Sequence, residues 1–133
     1  MTDTGRSPFM IAPAGALASR GTVVSGIDRS GSPSEQVQRM VRSAEIFVFM
    51  KGSPAQPACG FSASTVAILD SLGVAYSSFD VLADDAIRAA AKQVAQWPTF
   101  PQLWVRGELV GGNDIVTELH QSGELAQLLG VAP

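Results

Sequence analysis

The feature that most constrains the fold is an alternation of short apolar runs with helical segments. Glu45–Lys51, with the sequence EIFVFMK, is apolar and rich in β-branched and aromatic residues, which predicts a central strand. Cys59–Leu72 follows with helical spacing of its apolar residues, and Gly73 ends it. Ala75–Asp80 then predicts a second strand. This order indicates two parallel strands joined by a crossover helix.

The second half of the chain predicts a helix and a hairpin. Asp84–Ala95 is rich in alanine and begins with acidic residues, which the helix dipole favours in a first turn. Gln102–Arg106 and Glu108–Val110 predict two strands that turn tightly at Gly107. The hairpin adds two antiparallel strands to the parallel pair.

Further helices are expected at both ends of this unit. Ser34 is the predicted cap of a short first helix, and Asn113 or Asp114 is the predicted cap of a late one. Glu124–Leu129 predicts a last short helix. The fold class that follows is α/β, with a four-stranded mixed sheet flanked by helices on both faces.

Residues 1–33 differ from the rest, because they are rich in Gly, Ser, Ala and Pro and show neither helical nor strand periodicity. We interpret them as a disordered extension in front of a domain at residues 34–133. The alternative is a targeting segment, for which Phe9–Ala18 is weakly apolar. A proline and a glycine interrupt that stretch, and Asp3 precedes it, which is unusual for a signal. We therefore expect a cytoplasmic protein, or an organelle-matrix protein if the extension is a targeting segment.

Charge and cysteine content exclude several classes. The formal net charge of −3 comes without a basic cluster, which argues against nucleic acid and anionic membranes as partners. No apolar run reaches the ~18 residues that span a bilayer. One cysteine allows no intrachain disulfide and fits a reducing compartment. With only one histidine, His120, no zinc site can be built from Cys and His ligands of a single chain.

A lone cysteine is usually a small buried apolar residue, but the position of Cys59 indicates otherwise. It stands at a predicted helix start, where free N–H groups and the helix dipole favour a thiolate, and Lys51 ends the preceding strand. Gly60 allows close approach to the backbone. Ser62 stands where a dithiol enzyme carries its second thiol, so a partner thiol must come from outside. The simplest interpretation of Ser62 is an ordinary first-turn residue.

Three stretches carry a family resemblance: VFMKGSPAQPACGFS, WPTFPQLWV and GELVGGNDI. They resemble the monothiol glutaredoxins of the CGFS type, over residues 34–133. The resemblance implies a thioredoxin-like fold and glutathione bound at Cys59. It also implies a homodimer that bridges one [2Fe–2S] cluster with two protein cysteines and two glutathione thiols. The homodimer would transfer this cluster to apo iron–sulfur proteins. The family also pairs with BolA-like proteins. A cluster needs four thiolates and one chain offers one, which fits this arrangement.

The same resemblance implies a glutathione site. Lys51 would meet a carboxylate and the sulfur, and Arg88 and Lys92, four apart on one helix face, would meet the glycine carboxylate. The main chain of Phe100, before a proline that is cis in the family, would pair with the cysteinyl backbone. The predicted set is Lys51, Cys59, Gly60, Phe61, Arg88, Lys92, Thr99, Phe100, Pro101, Gly112, Asn113 and Asp114.

The turn Gly111–Asp114 precedes a predicted helix and would receive the γ-glutamyl carboxylate, with Asp114 taking the amine. One departure from the family lies here, because many members have a cysteine where this chain has Asn113. That cysteine is not the cluster ligand, so its absence does not remove cluster binding. Trp97 and Trp104 are expected to pack in the core, with Trp97 a candidate to flank the site.

Two alternatives to the carrier stay open. The first is an enzyme that removes glutathione from protein mixed disulfides with Cys59 alone. The loop GSPAQPA is longer than in typical dithiol relatives, and in the family that difference goes with weak oxidoreductase activity. The second is an interaction module that uses the thiol as a redox sensor.

Overall fold

A computed structural model describes residues 19–131, in which strands and helices alternate as the sequence predicts. The stretch Phe9–Ala18, considered above as a targeting signal, lies outside these residues. A single 3₁₀ turn at Val81–Ala83 separates two of the elements. The elements are β1 (Gly21–Val23), α1 (Pro33–Arg42), β2 (Ile46–Met50), α2 (Gly60–Ser71), β3 (Tyr76–Asp80), α3 (Asp85–Ala95), β4 (Gln102–Val105), β5 (Glu108–Gly111), α4 (Asn113–Ser122) and α5 (Glu124–Leu128).

The strands form one mixed sheet in the order β1-β3-β2-β4-β5. β3 is parallel to both of its neighbours, and the β2–β4 and β4–β5 pairs are antiparallel. All five residues of β2 are buried, which confirms the central strand predicted within Glu45–Lys51. Gly107 turns the hairpin with φ +81° after Arg106 with φ +50°, as a tight two-residue turn requires.

The sheet has five strands, so the prediction of four is wrong. The additional strand is β1, which pairs with residues 76–78 of β3 at the edge of the sheet. It lies within the segment predicted to be a disordered extension, and three residues are too short to show a strand period. Tyr76 covers Gly21, because a Cβ there would lie 2.5 Å from the tyrosine ring. The ion pair between Arg29 and Asp84, at 2.6 Å, also fastens this segment to the domain.

Two predicted helix caps are corrected. α1 is capped by Ser32 rather than Ser34, in a reciprocal capping box with Glu35 and with Pro33 as the first helical residue. α4 is capped by Gly112, without a side-chain cap bond, so neither of the predicted residues caps it. Asn113 is instead the first residue of the helix.

Two apolar layers fill the space on either side of the sheet. Phe47 and Phe49 of β2 point to the layer under α1 and α3, while Ile46, Val48 and Met50 point to the layer under α2, α4 and α5. All five side chains are at least 95% buried. Within residues 19–131, no helix is long and apolar enough to cross a bilayer. Helices on both faces of a mixed sheet confirm the predicted fold class.

The start of α3 offers a test of this packing. The Asp84 carboxylate accepts the Ile87 N–H at 3.0 Å and binds Arg29, so Asp84→Ala should lower the free energy of unfolding by about 1–2 kcal/mol. Asp85→Ala removes an exposed acid in the same turn and should cost only about 0.5 kcal/mol. Urea unfolding of both variants measures the two losses, and equal losses would contradict the account.

The loss of stability caused by Asp84→Ala should also depend on pH. The Ile87 N–H, and after it the Arg29 guanidinium, lowers the pKa of Asp84, more than burial raises it. A carboxyl group with a lowered folded-state pKa stabilises the fold above its unfolded pKa of about 4. That contribution is lost as pH falls through the folded-state pKa. The stabilities of wild type and Asp84→Ala should therefore converge in strong acid.

Candidate functional site

Cys59 is the N-cap of α2, with extended backbone angles of φ −152° and ψ 159°. Its Sγ accepts the N–H of Ser62 at 3.4 Å, so the sulfur occupies the place where a capping oxygen usually stands. The side chain is half-buried. The structure therefore places the thiol at the N-terminus of the 12-residue α2, as the sequence predicts.

Ser62 is fully buried and connects the end of β2 to the start of α2. Its Oγ accepts the Lys51 N–H at 3.1 Å and lies 3.4 Å from the Cys59 Sγ. The neutral thiol can donate to this oxygen, and the hydroxyl can donate to the thiolate. This role of Ser62 was not predicted from the sequence. The sequence spacing indicates this role, because the side chain of the residue three positions after an N-cap can reach back to the N-cap residue.

The environment lowers the pKa of the Cys59 thiol below its ordinary value. Burial by itself raises this pKa, but several groups outweigh it: the Ser62 hydroxyl, the N–H groups of Ser62 and Phe61, and the Lys51 charge. At neutral pH a larger fraction of the cysteine is therefore thiolate, which is the form that attacks disulfides and binds metals.

The loop between β2 and α2 is a short hairpin that returns the chain to the site. Ala58 N–H donates to the Lys51 carbonyl at 2.9 Å, and Ser53 and Gln56 exchange main-chain bonds at 3.2 and 3.1 Å. Gly52 has φ +85°, and a Cβ there would lie 2.5 Å from the Gln56 carbonyl oxygen, so only glycine fits. The hairpin holds the cysteine next to the lysine at the end of β2.

A cleft of about 390 Å³ opens beside the thiol. Ten of the twelve predicted site residues line it, and Cys59 and Gly60 lie outside its lining, adjacent to Phe61. Pro98 was not predicted to line the site, and Trp97 was predicted only as a candidate. The lining residues are Lys51, Phe61, Arg88, Lys92, Trp97, Pro98, Thr99, Phe100, Pro101, Gly112, Asn113 and Asp114.

The cleft carries three cations, Lys51, Arg88 and Lys92, against one acid, Asp114. None of the cations forms a salt bridge with another residue in the part of the chain described here. The Nε of Arg88 is buried without a hydrogen-bond acceptor, which is unfavourable unless a ligand supplies one. The arrangement suits an anionic ligand with a smaller cationic part.

Two glycines shape the far wall. A Cβ on Gly111, which has φ +148°, would lie 2.8 Å from the Ile115 Cβ. A Cβ on Gly112 would lie 3.0 Å from the Trp97 indole nitrogen. Without side chains here, the first N–H groups of α4 lie close against the cleft, and helix N-termini favour anions.

The loop before β4 forms the floor. Buried Gln102 donates from Nε2 to the carbonyls of Trp97 at 3.2 Å and Thr99 at 3.4 Å, and its Oε1 accepts the Trp104 indole N–H. The Phe100–Pro101 peptide is cis, as the resemblance implies. Among residues 19–131 the main chain of Phe100 has no hydrogen-bond partner, so it is free to bind an extended ligand.

No group of three or more His, Cys, Asp or Glu side chains that could hold a metal ion exists among residues 19–131. A metal or cluster at Cys59 would therefore need further ligands from outside these residues. Together, the thiolate and the cationic cleft suit a small anionic ligand.

The Ser62 hydroxyl offers a test of the site. We expect Ser62→Ala to raise the pKa of Cys59, because the side chain that stabilises the thiolate is lost. Ser64→Ala on the same helix should leave this pKa unchanged. The pH dependence of thiolate absorbance at 240 nm, or of alkylation rate, measures the shift. An unchanged pKa in Ser62→Ala would show that the helix start alone sets it.

Comparison with known proteins agrees with this geometry. Residues 46–110 match the protein-family model described as Glutaredoxin. "Probable monothiol glutaredoxin 2" of Rickettsia typhi is 50% identical over 93 residues, or 70% of this chain and 84% of that protein. "Glutaredoxin 4" of Escherichia coli K12 is 52% identical over 95 residues, or 71% of this chain and 83% of that one.

A solved structure extends the likeness to three dimensions. The crystal structure of a buckwheat glutaredoxin–glutathione complex is 30% identical, with a TM-score of 0.66, over 74% of this chain and 87% of that chain. Two longer plant monothiol glutaredoxins also match, but the chain spans only 19% and 21% of their length. With one cysteine at the start of α2 and a serine in the place of a second thiol, this chain belongs to the glutaredoxin family, as a monothiol member with a thioredoxin-like fold.

Proposed function

We propose that the chain binds glutathione in the cleft beside Cys59 and carries a [2Fe–2S] cluster in a homodimer. Two Cys59 thiolates and two glutathione thiols hold the cluster, which passes to apo iron–sulfur proteins. The observation that carries the proposal is a single thiol of lowered pKa next to a cleft with three cations that form no salt bridge within residues 19–131.

The chemistry of glutathione matches the cleft group by group. Lys51, whose charge helps to lower the pKa of the thiol, suits the ligand sulfur, and Arg88 and Lys92 on α3 suit the glycine carboxylate. The free main chain of Phe100 suits the cysteinyl backbone, as an added strand would. The start of α4 suits the γ-glutamyl carboxylate, with Asp114 for the ammonium group. A relative solved as a glutathione complex supports this choice of ligand.

The single cysteine determines how a cluster can be held. Four thiolates complete a [2Fe–2S] site, and each chain supplies one. A second chain and two glutathione molecules supply the other three. Phe61, next to the thiol, is 63% exposed and offers an apolar surface to the second chain. The cluster is cargo in this scheme, and its acceptors are apo iron–sulfur proteins. BolA-like proteins are a further proposed partner, and the cytoplasm is the proposed location.

A second function is favoured by the lowered pKa of the thiol. The Cys59 thiolate attacks the glutathione sulfur of a protein mixed disulfide, forms a Cys59–glutathione disulfide and releases the protein thiolate. A second glutathione thiolate then attacks this disulfide, which frees Cys59 and yields oxidised glutathione. Ser62 cannot resolve the intermediate, so external glutathione is required.

The cationic wall can be tested by charge removal. Arg88→Ala and Lys92→Ala should each weaken glutathione binding about 10-fold, because a charge-assisted hydrogen bond is worth about 1.5–3 kcal/mol. Arg42→Ala, which removes an exposed arginine of α1 outside the cleft, should leave affinity unchanged. NMR titration of the reduced protein measures the three affinities. Equal effects of all three would indicate that only net charge matters.

Reconstitution tests the carrier function directly. With iron, sulfide and glutathione the protein should become coloured and elute as a dimer on size-exclusion chromatography, since each chain supplies one thiolate. Cys59→Ser should stay colourless and monomeric. A colourless monomeric wild type would contradict the carrier function, and a coloured Cys59→Ser would contradict the ligand assignment. Rapid turnover of glutathione mixed disulfides by a protein that binds no cluster would favour the enzyme.

A further inference from the structure

Thr65 and Asn113 form a polar contact across the wall of the cleft. Thr65 is fully buried on α2, two turns after the cysteine, and its Oγ1 donates to the Asn113 Oδ1 at 3.1 Å. The two residues are 48 positions apart in the sequence. The bond therefore ties the helix that begins at the thiol to the first residue of α4.

This bond orients the Asn113 amide. Because Oδ1 accepts the threonine hydroxyl, Nδ2 diverges from α2. Nδ2 makes no hydrogen bond with another residue in the range 19–131, and it is not among the buried atoms that lack a partner there. Asn113 lines the cleft. The two N–H donors of this amide therefore have no partner among the described residues and are available to a ligand in the cleft, beside the first N–H groups of α4.

We infer that Thr65 is a positioning residue, which aims the Asn113 Nδ2 at the γ-glutamyl α-carboxylate that the proposed function places at the start of α4. The inference rests on the proposed function. A carboxylate accepts from both the helix N-terminus and a neutral amide, and the exposed Asp114 next in sequence supplies an acceptor for the ammonium group on the same carbon.

The orientation of the amide is what makes the inference specific. If the amide were turned the other way, its oxygen would face the cleft and repel a carboxylate. A side chain without an amide at this position would offer no comparable pair of donors. The Thr65–Asn113 pair thus fits this chain to a ligand with an α-amino acid end.

Two ligands separate positioning from general stability. The first is S-methylglutathione, whose blocked sulfur cannot react with Cys59, and the second is the same compound without the γ-glutamyl α-carboxylate. NMR titration of the reduced full chain gives both affinities. Thr65→Val should weaken the first ligand about 10-fold and leave the second unchanged, since a lost hydrogen bond to a charged group has about this effect.

Matched variants complete the design. Thr65→Ser keeps the hydroxyl and should restore wild-type affinity. Ser71→Ala removes a hydroxyl of the same helix that donates to the Ile68 carbonyl. This change should alter the affinity for neither ligand. If Thr65→Val does not fold, Asn113→Ala tests the same bond and should show the same selective loss.

The outcomes are distinguishable. A wild type that binds neither ligand would overturn the proposed glutathione site and this inference with it. A wild type that binds, with variants that lose affinity for both ligands equally, would reduce Thr65 to a structural residue and overturn the inference alone. If the variants bind both ligands as tightly as the wild type does, the inference alone is also overturned. A selective loss for S-methylglutathione, rescued by Thr65→Ser, supports it.

Discussion

The buried hydroxyl of Ser62 joins the end of β2 to the start of α2, because it accepts the Lys51 N–H at 3.1 Å and lies 3.4 Å from the Cys59 sulfur. The loop between these two elements closes on the same point, where Ala58 N–H donates to the Lys51 carbonyl. One small side chain thus fixes the lysine and the thiol relative to each other. A larger or apolar residue would leave a main-chain donor unpaired in a buried place.

The single thiol and the charges of the cleft together limit the class of ligand that fits the site. A thiolate with no second cysteine in the chain can neither complete a disulfide nor hold a metal by itself. The cleft beside it offers cations on one wall and a helix N-terminus on the other, which suits a ligand with two carboxylates. Glutathione, the proposed ligand, would supply both the carboxylates and the missing thiol, so one small molecule would match both parts of the site.

Local patterns predicted most of the fold, and long-range contacts account for what they missed. The apolar run of β2 and the glycine turn of the hairpin are properties of adjacent residues, and both were predicted. The short β1 carries no periodic signal and exists because the edge of β3 accepts it. Asparagine is a favoured N-cap residue, but the Oδ1 of Asn113 accepts the hydroxyl of Thr65, 48 residues away in the sequence. The motif resemblance predicted ten of the residues that line the cleft, whereas the bond from the Lys51 N–H to the Ser62 Oγ joins two elements and was not predicted.

Native mass spectrometry of the protein reconstituted with iron, sulfide and glutathione tests the central claim most directly, because it counts every component of the complex. The account predicts one species with two chains, two iron and two sulfide ions, and two glutathione molecules. Removal of glutathione from that species should release the cluster. A cluster bound to a single chain, or bound to two chains without glutathione, would contradict the claim that one thiolate per chain requires both a partner chain and an external thiol.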